Sequence, residues 1–460
     1  MTEKELLEKE KKYCSWGDTV HYLEPPKFFE TCKDSTLYDT KGTPYLDLQM
    51  WYSAASFGYA NPRLAETLKK QIDKLPQLAC QYLHREKVEL SEKIAKSMER
   101  LFGEKGRVHF NVGGSQAVED SLKLVRQHTR KNLVFAFMGG YHGRTLGASA
   151  ITSSYRYRRR YGHFSDRAHF VPYPYCYRCP YDKKYPDCGM HCVKQFEKLF
   201  ETEYNGVWDA KAGESEFGAF YVESIQGTGA YVIPPKEYFP ALKKVLDKHK
   251  ILLVDDEIQM GFHRAGKLWA MAEFGVTPDI MVFGKALTNG LNPLSGIWAK
   301  EQLIKPEVFP PGSTHSTFSS NTLGTAVGLE VMKMSEEMNY EKIVKEKGKS
   351  FLGRLKELQK RYPKLIGDVD GMGMALRMEI CKTSDGYTPD REMADRMFHE
   401  GMKGDLKGPG GKKYGLVLDV GGYYKNVFTI APSFGITEKE MDLAIDLFDQ
   451  IIRRCLKKST

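Results

Sequence analysis

The 460-residue chain is without several features that would assign a protein class at once. No apolar run approaches the ~18 residues that a membrane-spanning helix needs, which argues against a helical membrane protein. There is no internal repeat and no long low-complexity linker, so neither a solenoid nor a disordered tether is expected. Residues 1–12 are almost continuously charged and lack the apolar centre of a secretory signal. Nine cysteines are too few, and odd in number, for a secreted disulfide scaffold, so reduced thiols in a cytoplasmic protein are expected. Neither sign of charge dominates. Sixty-eight Lys and Arg against 59 Asp and Glu leave a net +9, which points to anionic small molecules ahead of nucleic acid. The remainder, 41% hydrophobic and 28% charged, has an ordinary globular composition.

The length allows one large core with a smaller partner domain. From about residue 91 to 300, helical patterns alternate with short apolar runs. Residues 133–138, 218–222, 251–254 and 279–283 read as buried strands. Residues 237–249 read as an amphipathic helix with Tyr238, Leu242, Val245 and Leu246 on one face. Such alternation predicts an α/β fold with a mainly parallel sheet covered on both sides. The last third changes character: 323–362 is helix-rich, and a final helix spans about 438–456. The expected division is an N-terminal segment at 1–75 that joins the small domain, a large domain at 76–330 and a smaller α+β domain at 331–460. Residues 403–413, rich in Gly and Lys, read as a loop.

In open α/β sheets, ligands bind outside the carboxyl ends of the strands. Glu223, the run Asp255-Asp256-Glu257, and Lys285 all fall at such ends. A lone carboxylate there also reads as a cap. A carboxylate and a lysine on two ends beside a phosphate cradle carry more weight. The cradle candidate is Gly113-Gly114-Ser115-Gln116-Ala117, which opens a helix whose apolar face is Ala117, Val118, Leu122, Leu124 and Val125. Small residues at a helix N-terminus leave backbone N–H groups and the positive dipole end for an anion. A plain Ser115 N-cap is the other reading of the same residues.

Together these segments resemble the class III (omega) aminotransferases, pyridoxal-phosphate enzymes of fold type I. The resemblance runs from about residue 37 to 437 and is densest at 253–267 and 278–287, with further matches at 141–145, 223–227 and 315–321. It implies pyridoxal 5'-phosphate as cofactor and assigns roles residue by residue. Lys285 would join the cofactor aldehyde through its amine and later move a proton at the substrate carbon. Asp256 would keep the ring nitrogen protonated, so that the ring serves as an electron sink. Glu223, retained from a Glu-Pro pair whose proline is Ser224 here, completes the catalytic set. Ile258 would pack on one ring face and Tyr141 on the other, with His142 beside it. Gln259 would reach the ring hydroxyl, and Gly114 and Ser115 the phosphate. Thr317 would contact the phosphate of a neighbouring subunit, implying a homodimer with a shared active site. No nucleic-acid or membrane partner is implied.

The chain departs from the family in two places. Members that handle amino-acid carboxylates carry an arginine where Thr429 stands, and some hold it with a glutamate where Thr228 stands. Losing both partners avoids leaving one buried charge alone. Others use an arginine slightly earlier, near Asp419. The site therefore looks short of a carboxylate clamp. Either another cation such as Arg144 or Lys425 does that work, or the donor has no free carboxylate near its reacting carbon. Diamines, β- or ω-amino acids and β-aminoacyl-CoA thioesters are the leading donors, with 2-oxoglutarate or pyruvate as acceptor. Four arginines and three tyrosines at 155–161 could grip a coenzyme A tail or form a solvated basic loop. The second departure is Cys176, Cys179, Cys188 and Cys192, whose spacing suits a structural zinc or iron–sulfur site. Aminotransferase chemistry needs no such metal, and none is assigned. A racemase, epimerase or aminomutase on the same scaffold is the alternative activity.

Overall fold

The computed structural model describes residues 1–158, 161 and 168–457. Its central sheet has seven strands: Gly106–Asn111 (β1), Leu133–Phe137 (β2), His169–Val171 (β3), Phe217–Val222 (β4), Leu252–Asp256 (β5), Ile280–Phe283 (β6) and Ser295–Lys300 (β7). The spatial order is β1-β7-β6-β5-β4-β2-β3. Five strands, from β6 to β3 in that order, run parallel, and β7 is antiparallel to both neighbours. The four apolar runs read from the sequence are β2, β4, β5 and β6, with ends displaced by one or two residues.

Every residue of β4 is buried. Ala219 and Tyr221 pack towards the helix Gly114–Thr129, while Phe220 and Val222 pack towards the helix Tyr238–Lys248. Successive strand residues point to opposite faces, so a sheet covered on both sides needs an unbroken apolar run. Truncating Phe220 to Ala would cost about 3–5 kcal/mol in such a core.

A second sheet is built from Ile366–Met372 (β8), Ala375–Ile380 (β9), Asp419–Gly421 (β10) and Val427–Ile430 (β11), ordered β8-β9-β11-β10 and antiparallel throughout. Its register aligns Arg377, Thr429 and Asp419 in one row across β9, β11 and β10. Directly opposed residues share a face. A third sheet brings the strands Phe29–Lys33, Thr36–Asp39 and Pro44–Asp47 against Lys413–Val417, the last two paired in parallel.

Residues 403–413 are not the plain loop expected from their composition. Leu406–Lys407 pairs antiparallel with Lys413–Val417, and Leu406 is fully buried. Gly410 and Gly411, at φ 65° and 74°, turn the chain between them. One apolar anchor is enough to make a hairpin of an otherwise polar, Gly-rich stretch.

Candidate active site

Asp256 is the last residue of β5 and Glu223 follows β4, while Lys285 comes two residues after β6. Parallel strands end side by side, so these three residues meet at one edge of the sheet. Alternation sends Asp256 to the same side as Val254, facing the helix Gly114–Thr129. Its neighbours Asp255 and Glu257 are fully buried, and burial raises the pKa of each.

Asp256 accepts from the Ile258 N–H at 3.1 Å and meets His142 Nδ1 at 2.8 Å. Burial opposes charge on His142, but the hydrogen bond and charge of Asp256, with Glu223 behind, raise its pKa overall. Glu223 accepts the Tyr141 and Gly227 N–H groups, each at 2.9 Å. Burial, reinforced by the Asp256 charge, still pushes its carboxyl up to about 7 against His142 and those two bonds. The Lys285 ammonium donates to Gln259 at 3.1 Å. Burial lowers its pKa while the charges of Asp256, Glu223 and Asp419 resist. A lysine amine easier to deprotonate is what nucleophilic attack and proton transfer require. Lys285 also sits at φ 41°, a left-handed backbone held at a functional position.

Ile258 forms a platform. A Cβ added at Gly114 or Gly284 would come within 3.0 or 2.9 Å of Ile258 Cδ1, so both glycines approach Ile258 closely and a side chain at either would press on its tip. The helix Gly114–Thr129 begins after Gly113 with no side-chain cap, and Ser115 Oγ accepts the Arg144 N–H at 3.2 Å. An open 16-residue helix N-terminus, a flat apolar platform, a carboxylate–imidazole pair and a buried lysine fit a phosphorylated pyridine aldehyde. Tyr141 packs edge-on against Tyr157 at 5.0 Å, and the Arg144 guanidinium lies 4.7 Å over the same Tyr157 ring.

The family model for class-III aminotransferases matches residues 20–452. The chain belongs to the class-III aminotransferase family. Its cofactor is pyridoxal 5'-phosphate, and its enzyme class is transaminase. An alanine/serine racemase of Pyrococcus horikoshii is 31% identical over 98% of this chain and 91% of its own length. A 5-aminovalerate aminotransferase of Pseudomonas putida is 28% identical over 92% and 93%. The fold matches that of an amine transaminase from an uncultivated Pseudomonas species in its PLP-bound form, with a TM-score of 0.83, 23% identity and coverage of 96% of this chain and 98% of that one.

This transaminase is built differently on its substrate side. A Cβ on Gly421 would lie 3.3 Å from both the Thr228 carbonyl oxygen and Thr429 Cγ2, so the two threonines do converge. Thr429 donates to Asp419 Oδ2 at 2.5 Å. The buried arginine of the same row, Arg377, is held by Glu379 at 2.9 Å, by Asp368 at 3.5 Å and by the Tyr175 hydroxyl. Sequence reasoning missed Gln49, Tyr52, Ser53 and Tyr231. Gln259 Nε2 donates to the Tyr231 hydroxyl at 2.8 Å, which meets Ser53 Oγ at 3.3 Å. No motif marks these residues.

Thr317 is exposed on the single chain. Arg156 lies 4.3 Å over the Tyr22 ring, and Arg158 lies 5.0 Å over Phe170 and donates to the Ser153 carbonyl. Arg159 and Arg160 lie outside the described residues. The four clustered cysteines are free thiols. Burial first, then the other three thiols, pushes Cys176 up to about 11. Among the described residues no group of three or more His, Cys, Asp or Glu side chains is arranged to hold a metal ion. Among the described residues no helix is long and apolar enough to cross a membrane.

Proposed function

We propose that this transaminase moves an amino group from a β- or ω-amine donor to a keto acid such as 2-oxoglutarate or pyruvate. The observation that supports the reading is that Thr228 and Thr429, where a carboxylate clamp would need charge, are neutral residues that both approach Gly421, Thr228 through its main chain and Thr429 through its side chain. Bound pyridoxal phosphate supplies an electron sink for the donor carbon. Lys285, its ammonium disfavoured by burial, takes the proton from that carbon and returns it later in the cycle. Asp256, fixed by His142 and the Ile258 N–H, holds the proton on the ring nitrogen. Ile258 and Tyr141 would bound the ring, and Gln259 would reach its hydroxyl edge. Gly114 and Ser115 receive the phosphate. Glu223 is positioned by two N–H groups behind His142.

A cytoplasmic homodimer belongs to the same reading. Thr317 and Phe318, the latter 68% exposed, have their expected use against a partner's phosphate site. An active monomer, shown by sedimentation and assay at one concentration, would remove that role. A β-aminoacyl-CoA donor is supported by a cationic rim: Arg156 stands near Lys425, whose charge it opposes. The acceptor's carboxylate would be met by Lys425 or Arg144.

The test is a donor screen with 2-oxoglutarate and pyruvate, following new glutamate or alanine by chromatography. Racemisation or epimerisation is the second reading, favoured by the identity with the Pyrococcus enzyme. Loss of optical purity of an α-amino acid without any keto acid, and no new amino acid with one, would establish it.

A further inference from the structure

Asp419 stands near the place of the clamp's arginine and offers a carboxyl group there. It opens β10, takes the Thr429 hydroxyl at 2.5 Å on one oxygen and the Gln49 amide at 3.5 Å on the other, and is still touched by solvent. Burial raises the pKa of its carboxyl, and the hydrogen bonds from Thr429 and Gln49 with the charges of Lys425 and Lys285 work against that rise. Among the described residues no Lys, Arg or His forms an ion pair with it. Lys425 and Lys285 act on its charge only at longer range, and burial lowers the pKa of Lys425.

An independent feature adjoins it. Met50, Trp51, Tyr52 and Ser53 have φ of 45°, 52°, 54° and 66°, a left-handed turn with no glycine. Such backbone costs about 1–2 kcal/mol per residue and is kept where it positions something. It is held by Asp47, which accepts the Gln49 and Met50 N–H groups at 2.7 and 2.9 Å. Gln49, whose amide reaches Asp419, leads into this turn, and burial first, then the Asp419 charge, raises the pKa of the Tyr52 phenol within it. A partly buried carboxyl group with no ion-pair partner of its own can receive an ammonium group.

We propose that Asp419, with Gln49 and Tyr52, binds a second ammonium group of the amine donor, so that the donor class is an aliphatic diamine. This rests on the transaminase reading above. One C–N bond of the diamine breaks and its carbon becomes an aldehyde, taking oxygen from water. The keto acid's C=O becomes C–NH3+ and its oxygen leaves as water. The donor carbon loses the two electrons that the acceptor carbon gains.

The test compares three donors that differ only at the far end, an ammonium, a methyl or a carboxylate: 1,5-diaminopentane, pentylamine and 5-aminovalerate, repeated with the three- and four-carbon series. With 2-oxoglutarate or pyruvate, the diamine should exceed the monoamine in kcat/KM by about tenfold or more at one length at least, and the amino acid by more. Asp419→Asn should reduce the diamine-to-monoamine ratio at least tenfold, chiefly through KM. Equal use of diamine and monoamine at every length, or an unchanged ratio in Asp419→Asn, overturns the proposal. If no donor yields a new amino acid, the transaminase reading is what has failed. Calorimetric binding of the same amines to the Lys285→Ala protein, reconstituted with pyridoxal phosphate, still decides this one. Tighter binding of the diamine than the monoamine supports it, and equal binding rejects it. Should Asp419→Asn not fold, the wild-type ranking and that binding series decide without it.

Discussion

The two halves of the proposed active site are made in different ways. On the cofactor side, Glu223, Asp256 and Lys285 come from the ends of three adjacent parallel strands, and Ile258 and Gln259 follow Asp256 in the chain. On the substrate side, Gln49 and Tyr52 come from a left-handed turn, Thr228 from a loop after β4, and Asp419 and Thr429 from another sheet. The first half inherits its geometry from hydrogen-bonded strand neighbours. The second depends on three distant segments docking correctly, so it can be altered without disturbing the sheet. A fixed chemistry paired with a changeable specificity follows from that construction.

The sharpest break between the halves should come at Lys285. Lys285→Ala removes the buried amine that follows β6 and should lower transamination by ~10³-fold or more while folding is retained. Single-turnover kinetics on refolding-competent protein checks this. A rate near wild type would detach Lys285 from the chemistry. Asp256→Asn should follow, with turnover reduced by roughly 10²–10³-fold. Asn keeps the Ile258 N–H contact but not the charge that faces His142. An unchanged kcat with an unchanged melting temperature would refute the electron-sink role.

The same contrast explains what could be read in advance. Lys285 and Asp256 were legible because a short apolar run fixes where a strand ends, and the residue just beyond is placed by that alone. The helix start at Gly114 was legible because small residues precede an amphipathic pattern there. The turn at Met50–Ser53 was not. Left-handed turns are normally announced by Gly, Asn or Asp, and here Met, Trp, Tyr and Ser are forced into one by Asp47 and by the packing of Trp51 against Gly290. Asp419 was visible only as an absent arginine, because its partners Thr429 and Gln49 are 10 and 370 residues away. The hairpin at Leu406–Lys407 was hidden because one buried Leu outweighs the surrounding Gly and Lys.

A smaller effect should appear when only the donor's charge is changed. Masking the carboxylate of β-alanine as β-alanyl-CoA removes repulsion from Asp419, and Thr228 and Thr429 offer the free acid no compensating charge. The thioester should gain about tenfold in kcat/KM. If the rim arginines hold its tail, Arg156→Ala should raise KM for the thioester and not for a small amine. Equal or better use of free β-alanine would mean that a cation such as Lys425 reaches the carboxylate after all.

The smallest effect is one of stability, and it belongs wholly to the cofactor side. Glu223 is raised to about 7 in the folded chain, mainly by burial, against an ordinary value of 4.5. Between those values the folded protein keeps a proton that the unfolded chain has already lost. Stability is therefore full below about pH 4.5 on this account and falls as pH rises through 7, by roughly 3 kcal/mol for 2.5 pKa units. His142, also raised, has the same sign: its contribution is present below 6.5 and lost above its folded value. The cofactor-free protein should thus lose melting temperature between pH 5 and pH 8 more steeply than Glu223→Gln, which keeps the amide's shape and has no proton to release. Parallel melting curves for the two proteins across that range would show that the Glu223 carboxyl titrates at its ordinary value. A Glu223 that keeps its proton towards pH 7 would then no longer be part of the site.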